Sequence, residues 1–252
     1  MKLYGIIAKV TFSLTLAILT VHGTFAHAAE IRVLSSNGVH SVMVEMVPAF
    51  ERATGHKISI DYNTANQVVD RIKGGESADL VIITRPTADG LIKQGKIVAG
   101  TDKILGRSGV GVAIRAGLPK PDISTPEALK RALLDAKSIT FTKTGGSGIH
   151  FMKVAERLGI TDQVNAKVPE GGAVGPLVAR GEAEMAVQQI PELMAVKEIQ
   201  YVGPLPKEFQ IATVFTTGVM TSARQAEAAK ALIDFLTTPA AVRVFKSKGM
   251  EP

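Results

Sequence analysis

Ala78-Asp79-Leu80-Val81-Ile82-Ile83-Thr84 is a mostly apolar run with a polar residue near each end. An apolar run of this length without alternation fits a strand buried on both faces, as in a parallel sheet. Parallel neighbours need long crossovers, and the preceding residues supply them. Ile31-Arg32-Val33-Leu34 is a short β-prone run that leads straight into Ser35-Ser36-Asn37-Gly38. Val39, Val42, Met43, Met46, Val47 and Phe50 then fall at helical spacing, and the helix stops near Thr54-Gly55, where glycine supplies a cap. Lys57 to Asp61 alternates as a second strand. Tyr62 to Asn66 reads as a polar loop, followed by Val68, Val69 and Ile72 on a helix ending at Gly74-Gly75. This β-α-β-α-β order predicts an α/β fold with a right-handed, doubly wound sheet.

A second unit begins near residue 110. Val110 to Ile114 reads as a strand, Ala116 to Thr125 as a loop, and Pro126 to Leu134 as a helix with Thr125 as its cap. Ser138 to Thr142 is a strand. Thr144-Gly145-Gly146-Ser147-Gly148 is a tight loop opening a helix from Ile149 to Leu158. Gly171-Gly172 precedes a helical stretch from Val174 to Arg180. Strands are expected at Glu184 to Gln188 and Ile199 to Val202, and a long β-rich run at Ile211 to Met220. A helix from Gln225 to Leu236 and a short one from Pro239 close the chain. Ala228, Leu232, Phe235 and Leu236 form a core stripe, as do Val68, Val69 and Ile72.

The 252 residues contain no Cys, which removes disulfide scaffolds, thiolate metal sites and a cysteine nucleophile. Lys2 and Lys9, the apolar run Val10 to Val21, and Ala26-His27-Ala28 together read as a cleaved secretory signal peptide over residues 1–28. Without Lys2 and Lys9 the chain keeps 27 basic against 23 acidic groups. The basic residues are scattered and not interleaved with aromatics, so nucleic-acid binding is not expected.

Each half repeats one theme: a strand, a small polar loop, then a helix N-terminus. The first N–H groups of a helix lack intrahelical partners, and the helix dipole adds partial positive charge there. Together they make an anion site that needs no formal cation. Ser35-Ser36-Asn37-Gly38, Asn63-Thr64-Ala65-Asn66 and Thr144-Gly145-Gly146-Ser147-Gly148 have this composition, with Gly171-Gly172-Ala173-Val174 a weaker fourth. Taken singly, each reads better as caps and turns, and it is the four together at equivalent ends that point to a ligand. In open α/β sheets, ligands gather at the carboxyl ends of strands, where all four loops are expected. The third loop is not a P-loop, because it lacks the Lys-Ser/Thr ending.

The order I-R-V-L-S-S, A-D-L-V-I-I-T, L-V-A-R-G-E-A-E (Leu177 to Glu184) and K-S-K-G-M-E-P at the end resembles periplasmic molybdate-binding-like proteins of ABC importers. The resemblance covers essentially all of the chain after residue 28. It implies a type II periplasmic-binding-protein fold: two doubly wound α/β lobes joined by a two-stranded hinge, with an anion clamped between them. By that resemblance lobe 1 is 29–111 with 217–252, lobe 2 is 112–216, and the strands at 110–114 and 211–220 are the hinge crossings. It also implies a periplasmic location, a permease in the inner membrane as partner, a monomer, and neither cofactor nor metal ion as helper.

The sequence departs from that family's pattern in chemically specific ways. The first serine loop is matched by Ser35 and Ser36. The second loop carries Asn63, Thr64 and Asn66 where the family has serine, and Gln188-Gln189 stands where a tyrosine is expected. Amides both donate and accept, whereas a tetrahedral oxyanion only accepts. The expected ligand is a molybdate- or tungstate-type oxyanion, with a di- or tricarboxylate as the alternative. Arg85, in T-R-P after the buried strand, is a candidate bidentate clamp for a carboxylate, and Lys143 precedes the glycine loop. The ligand set is then Ser35, Ser36, Asn37, Asn63, Thr64, Asn66, Arg85, Thr144, Gly145, Gly146, Ser147, Gly172, Gln188 and Gln189. An extracytoplasmic sensor would use the same cleft. Catalysis is not expected: G-G-S-G-I-H lacks the G-x-S-x-G elbow, His150 reads as a helix-surface residue, and His40, His56 and His150 have no partners at metal-ligand spacing. Glu182 and Glu184 read as a solvated strand edge.

Overall fold

The computed structural model describes residues 28–169 and 174–252. The signal-peptide reading falls almost wholly on residues outside these, and Gly172 is outside them too. Lobe 1 begins with β1 (Glu30–Ser36), α1 (His40–Thr54), β2 (Lys57–Asn63), α2 (Ala65–Lys73), β3 (Leu80–Thr84), α3 (Arg85–Lys93) and β4 (Lys103–Ser108). Lobe 2 follows with β5 (Val110–Arg115), α4 (Pro126–Asp135), β6 (Ile139–Thr140), α5 (Gly146–Leu158), α6 (Thr161–Asn165), α7 (Val174–Ala179), β7 (Met185–Gln189), α8 (Ile190–Met194) and β8 (Ile199–Pro204). The chain then returns to lobe 1 with β9 (Thr213–Val219), α9 (Ala226–Leu236) and α10 (Pro239–Ser247).

The first sheet has the order β2-β1-β3-β9-β4 and the second β6-β7-β5-β8. β1 pairs in parallel with β2 and β3, as the crossovers require. β9 enters antiparallel between β3 and β4. In lobe 2 only β6 and β7 are parallel, and β5 runs antiparallel to both β7 and β8. The two lobes are therefore mixed sheets, not uniformly parallel ones. The returning strands come back from the other lobe, so they enter against the direction of their neighbours. Leu80, Val81, Ile82 and Ile83 are all fully buried, which is the double-sided burial that the apolar run implied. Leu34, Val68, Ile72, Val81 and Ile83 pack on one face of the first sheet, and Val33, Val42, Phe50, Leu80, Ile82 and Leu232 on the other.

Several boundaries differ from expectation, each for a local reason. The first strand extends through Ser36 because it stays in register with β2 up to Ser36 opposite Asn63. Thr64 therefore caps α2 directly, and Asn66 lies inside that helix. α5 begins at Gly146, three residues early, placing Ser147 in its first turn. α3, β4 and α8 carry no signal strong enough to have been expected. The sheets change over at Gly109 and between Pro204 and Thr213, so the breaks at 111/112 and 216/217 fall inside β5 and β9. The crossings are thus β4 into β5, and the segment between β8 and β9. Gln210 holds them together: its Oε1 accepts from Val110 N at 2.8 Å and its Nε2 donates to Val110 O at 2.8 Å.

Candidate functional site

A cleft partly open to solvent lies where the lobes meet. Lobe 1 contributes Ser36, Asn37 and Gly38 at and just after the end of β1, Thr64 and Ala65 at the start of α2, and Thr84 at the start of α3. Lobe 2 contributes Thr142, Gly145, Gly146 and Ser147 at the start of α5, with Gln189 and Glu192 around the start of α8. Thr213 and Phe215 of β9 complete it. Gly38 has to be glycine here, since a Cβ would stand 2.3 Å from Cζ of the buried Phe215 ring.

The donors come mainly from backbone. α5 has no side-chain cap, and its first intrahelical bond runs from Ile149 N to Gly145 O at 2.9 Å. The N–H groups of Gly146, Ser147 and Gly148 precede that bond and have no helical acceptor. On the opposite wall the capping box of α2 consumes the Thr64 hydroxyl, which accepts from Gln67 N at 3.3 Å. The N–H groups of Ala65 and Asn66 remain at that helix end. Ser36 and the buried Ser147 add hydroxyls. Among the described residues no Lys or Arg lines the cleft. Any anion here would be held by helix ends, hydroxyls and amides.

The lobes touch across the opening. Asn66 Nδ2 donates to Thr144 O at 3.3 Å, and Gln189 Nε2 donates to Thr213 Oγ1 at 2.8 Å. Gln189 Oε1 is buried and has no hydrogen-bond partner. A buried amide acceptor without a donor is costly. Turned over, the same amide would accept from Thr213 and offer Nε2 instead.

Of the residues expected in the site, Ser36, Asn37, Thr64, Gly145, Gly146, Ser147 and Gln189 line the cleft. The others do not. Ser35 is fully buried and donates its hydroxyl to Ser36 O at 3.1 Å, because successive strand residues face opposite ways. Asn63 ends β2 without reaching the cleft wall, and Asn66 and Thr144 are used in the contact between lobes. Gln188 turns to Glu192, donating from Nε2 to Oε2 at 2.7 Å. Arg85 is no ligand clamp: its guanidinium is committed to Asp89 at 2.7 Å and Asp102 at 2.8 Å. Lys143 is exposed. His150 Nε2 lies 2.6 Å from Phe209 O, a packing contact within lobe 2. Glu182 pairs with Arg180 at 2.5 Å on the surface.

Glu192 escaped the sequence reading. The available signal was Gln188-Gln189-Ile190-Pro191-Glu192, a strand running into a helix with Pro in its first turn. Glu192 lines the cleft, and burial of its carboxyl pushes its pKa up from 4.5 to about 7. A carboxyl that keeps its proton longer when folded stabilises the fold at low pH. That contribution is complete below about 4.5 and is lost as pH rises through about 7. The ligand-free protein should therefore lose on the order of 3 kcal/mol of stability between pH 4.5 and 8 from this group. Glu192→Gln should flatten that part of the profile, as read by urea unfolding across the range. An identical pH profile in the variant would contradict the assignment.

Residues 31–251 match the profile of the family described as bacterial extracellular solute-binding protein. Over 228 residues, 87% of this chain and 87% of the other, the sequence is 32% identical to a protein named aconitate isomerase from a Pseudomonas species. It is 24% identical over 234 residues to the molybdate-binding protein ModA of Azotobacter vinelandii, covering 89% of this chain and 90% of that one. The solved structure of the Azotobacter vinelandii periplasmic molybdate-binding protein superposes with a TM-score of 0.73 at 18% identity, over 88% of this chain and 99% of that one. That last likeness is one of fold, and it matches the two-lobed architecture expected from the sequence.

Proposed function

The chain belongs to the bacterial extracellular solute-binding proteins, and from that premise we propose that its cleft captures one small organic acid by closing two lobes over it. The carrying observation is the pairing of functions on the walls. Helix N-termini and hydroxyls line the cleft as donors, while the Gln189 amide and the Glu192 carboxyl bring acceptor groups to the same walls. A fully ionised oxyanion of the molybdate or tungstate type satisfies only the donors. A di- or tricarboxylate with a remaining proton-bearing group satisfies both. Lobe 1 holds the acid in the open form, and the α5 end engages on closure. Closure excludes water and strengthens every dipolar contact inside.

In this reading residues 1–28 are an export signal, the protein works as a monomer in the periplasm, and a permease of the inner membrane receives the loaded form. An extracytoplasmic sensor would use the cleft identically. Calorimetric titration of the protein, stripped of ligand by unfolding and refolding, decides the ligand class. The panel is molybdate, tungstate, sulfate, phosphate, aconitate and simple dicarboxylates. Carboxylate binding is the expected result, and binding restricted to molybdate or tungstate would overturn it. Ser36→Ala and Ser147→Ala should each weaken binding roughly tenfold, the scale of one hydrogen bond to a charged group, with little change in melting temperature. Unchanged affinity in both would remove these residues from the site.

A second reading has one observation in its favour. A protonatable carboxyl in the cleft, together with the relative named aconitate isomerase, fits turnover of the bound acid as well as capture. Incubating the protein with one geometric isomer of aconitate and following the other by proton NMR tests it. Conversion that depends on Glu192 would make the protein an enzyme. Tight binding without conversion would leave it a binding protein.

A further inference from the structure

Glu192 is the one titratable side chain on the cleft wall among the described residues. Gln188 Nε2 holds its Oε2 at 2.7 Å, and Oε1 has no hydrogen-bond partner among those residues. The Gln188 bond suits both protonation states, so it fixes the orientation of the carboxyl without fixing its charge. Apart from the Gln189 amide, the rest of the cleft offers helix-end N–H groups and hydroxyls suited to negative charge. An ionised Glu192 would repel the anion that those donors attract. A protonated Glu192 would instead become one more donor, and O–H···O⁻ bonds between carboxyl groups are among the strong ones.

The elements packed against α8 are β5, β7, β8, α1 and the Asn37–Val39 turn. β7 and the turn contain no titratable side chain. On β8, Tyr201 lies over Gly111, and on β5 Arg115 lies beside Gly181. On α1, His40 stacks edge-on against Tyr62, Glu45 pairs with Lys248, Glu51 pairs with Lys57 and Arg52 is exposed. Lys197 and Glu198, beyond α8, are exposed. No ion pair joins any of these to Glu192, so its charge answers to burial and to what occupies the cleft.

We propose that the cleft takes up its organic acid together with one proton, shared between Glu192 Oε1 and a carboxylate oxygen of the ligand. No covalent bond changes. The proton comes from solvent and returns to it on release. This makes Glu192 a specificity-determining residue. It favours anions whose oxygens hold a proton about as well as a carboxylate does, over anions such as sulfate that hold one poorly. The inference rests on the organic-acid reading above and adds a stoichiometry to it.

The test is calorimetry of the full mature protein with fumarate, succinate and aconitate at pH 8, where these probes are fully ionised. Each titration is run in two buffers of different ionisation enthalpy. The expected result is uptake of close to one proton per bound anion, with affinity falling about tenfold per pH unit above pH 7. In Glu192→Gln the uptake should vanish and affinity should no longer vary with pH. Binding without proton uptake, or equal uptake in the variant, overturns the proposal while leaving anion capture standing. Absence of binding by every anion in the panel overturns both. If the variant does not fold, the uptake measured on the wild-type protein decides alone.

Discussion

Replacing Asp79 by alanine is expected to lower stability by about 3–5 kcal/mol and the melting temperature by roughly 10 °C. This buried carboxylate sits where three parts of lobe 1 converge. Its Oδ2 accepts from Arg32 N at 2.8 Å on β1. Its Oδ1 accepts from Arg224 N at 2.7 Å and Gln225 N at 2.8 Å, just before α9. It thereby serves as a cap supplied from a distant strand to a helix whose own N-cap residue makes no side-chain bond. Alanine would leave three N–H groups without acceptors and remove the negative charge from the α9 dipole. Asp79→Asn, with one oxygen in place of two, should fall between. Thermal unfolding of the three proteins checks the order, and a loss below 1 kcal/mol in Asp79→Ala would show that these bonds contribute little.

Gly148→Ala should have a comparable effect, concentrated in the cleft. A Cβ at that position would stand 2.0 Å from Thr142 O and 2.7 Å from Thr142 C. These are backbone atoms, so no rotamer change relieves the clash. The Thr142–Gly145 turn, closed by Gly145 N on Thr142 O at 3.0 Å, must open or α5 must lose its first turn. Either change displaces the N–H groups that face the cleft. Affinity for the carboxylate panel should fall at least about a hundredfold, since several charge-assisted bonds go together. Circular dichroism and calorimetry on the variant separate lost folding from lost binding. Near-normal affinity would mean that the α5 end is not an anion contact. Gly146 has open space at its Cβ position, so Gly146→Ala is the matched control for glycine replacement in the same turn.

The architecture was legible because its signals are local. The apolar run at 78–84, the helical spacing from Val39 to Phe50, and the caps at Thr125 and Gly55 each act within a few residues. Half of the expected site residues reached the cleft for the same reason: strand ends and helix starts place Ser36, Thr64 and Ser147 by connectivity alone. What the sequence hid depends on partners far along the chain. Arg85 opens α3 next to the cleft residue Thr84, but Asp102, seventeen positions on, holds its guanidinium. Ser35 and Ser36 look equivalent in sequence, and only strand pairing decides which one is turned into the core. Glu192 became legible only once Gln188, Gln189 and the opposite lobe were in place, because burial is a property of neighbours.

The insertion of β9 between β3 and β4 also dictates an order of events in folding. The sheet of lobe 2 is assembled from residues 110–204 and can close as soon as those have been made. The sheet of lobe 1 cannot: β3 and β4 do not pair with each other, and the strand that joins them ends at Val219. The central lobe should therefore gain hydrogen-exchange protection first. The lobe bearing the N-terminus should wait for loop closure over more than a hundred residues, a slow step in chain-entropy terms.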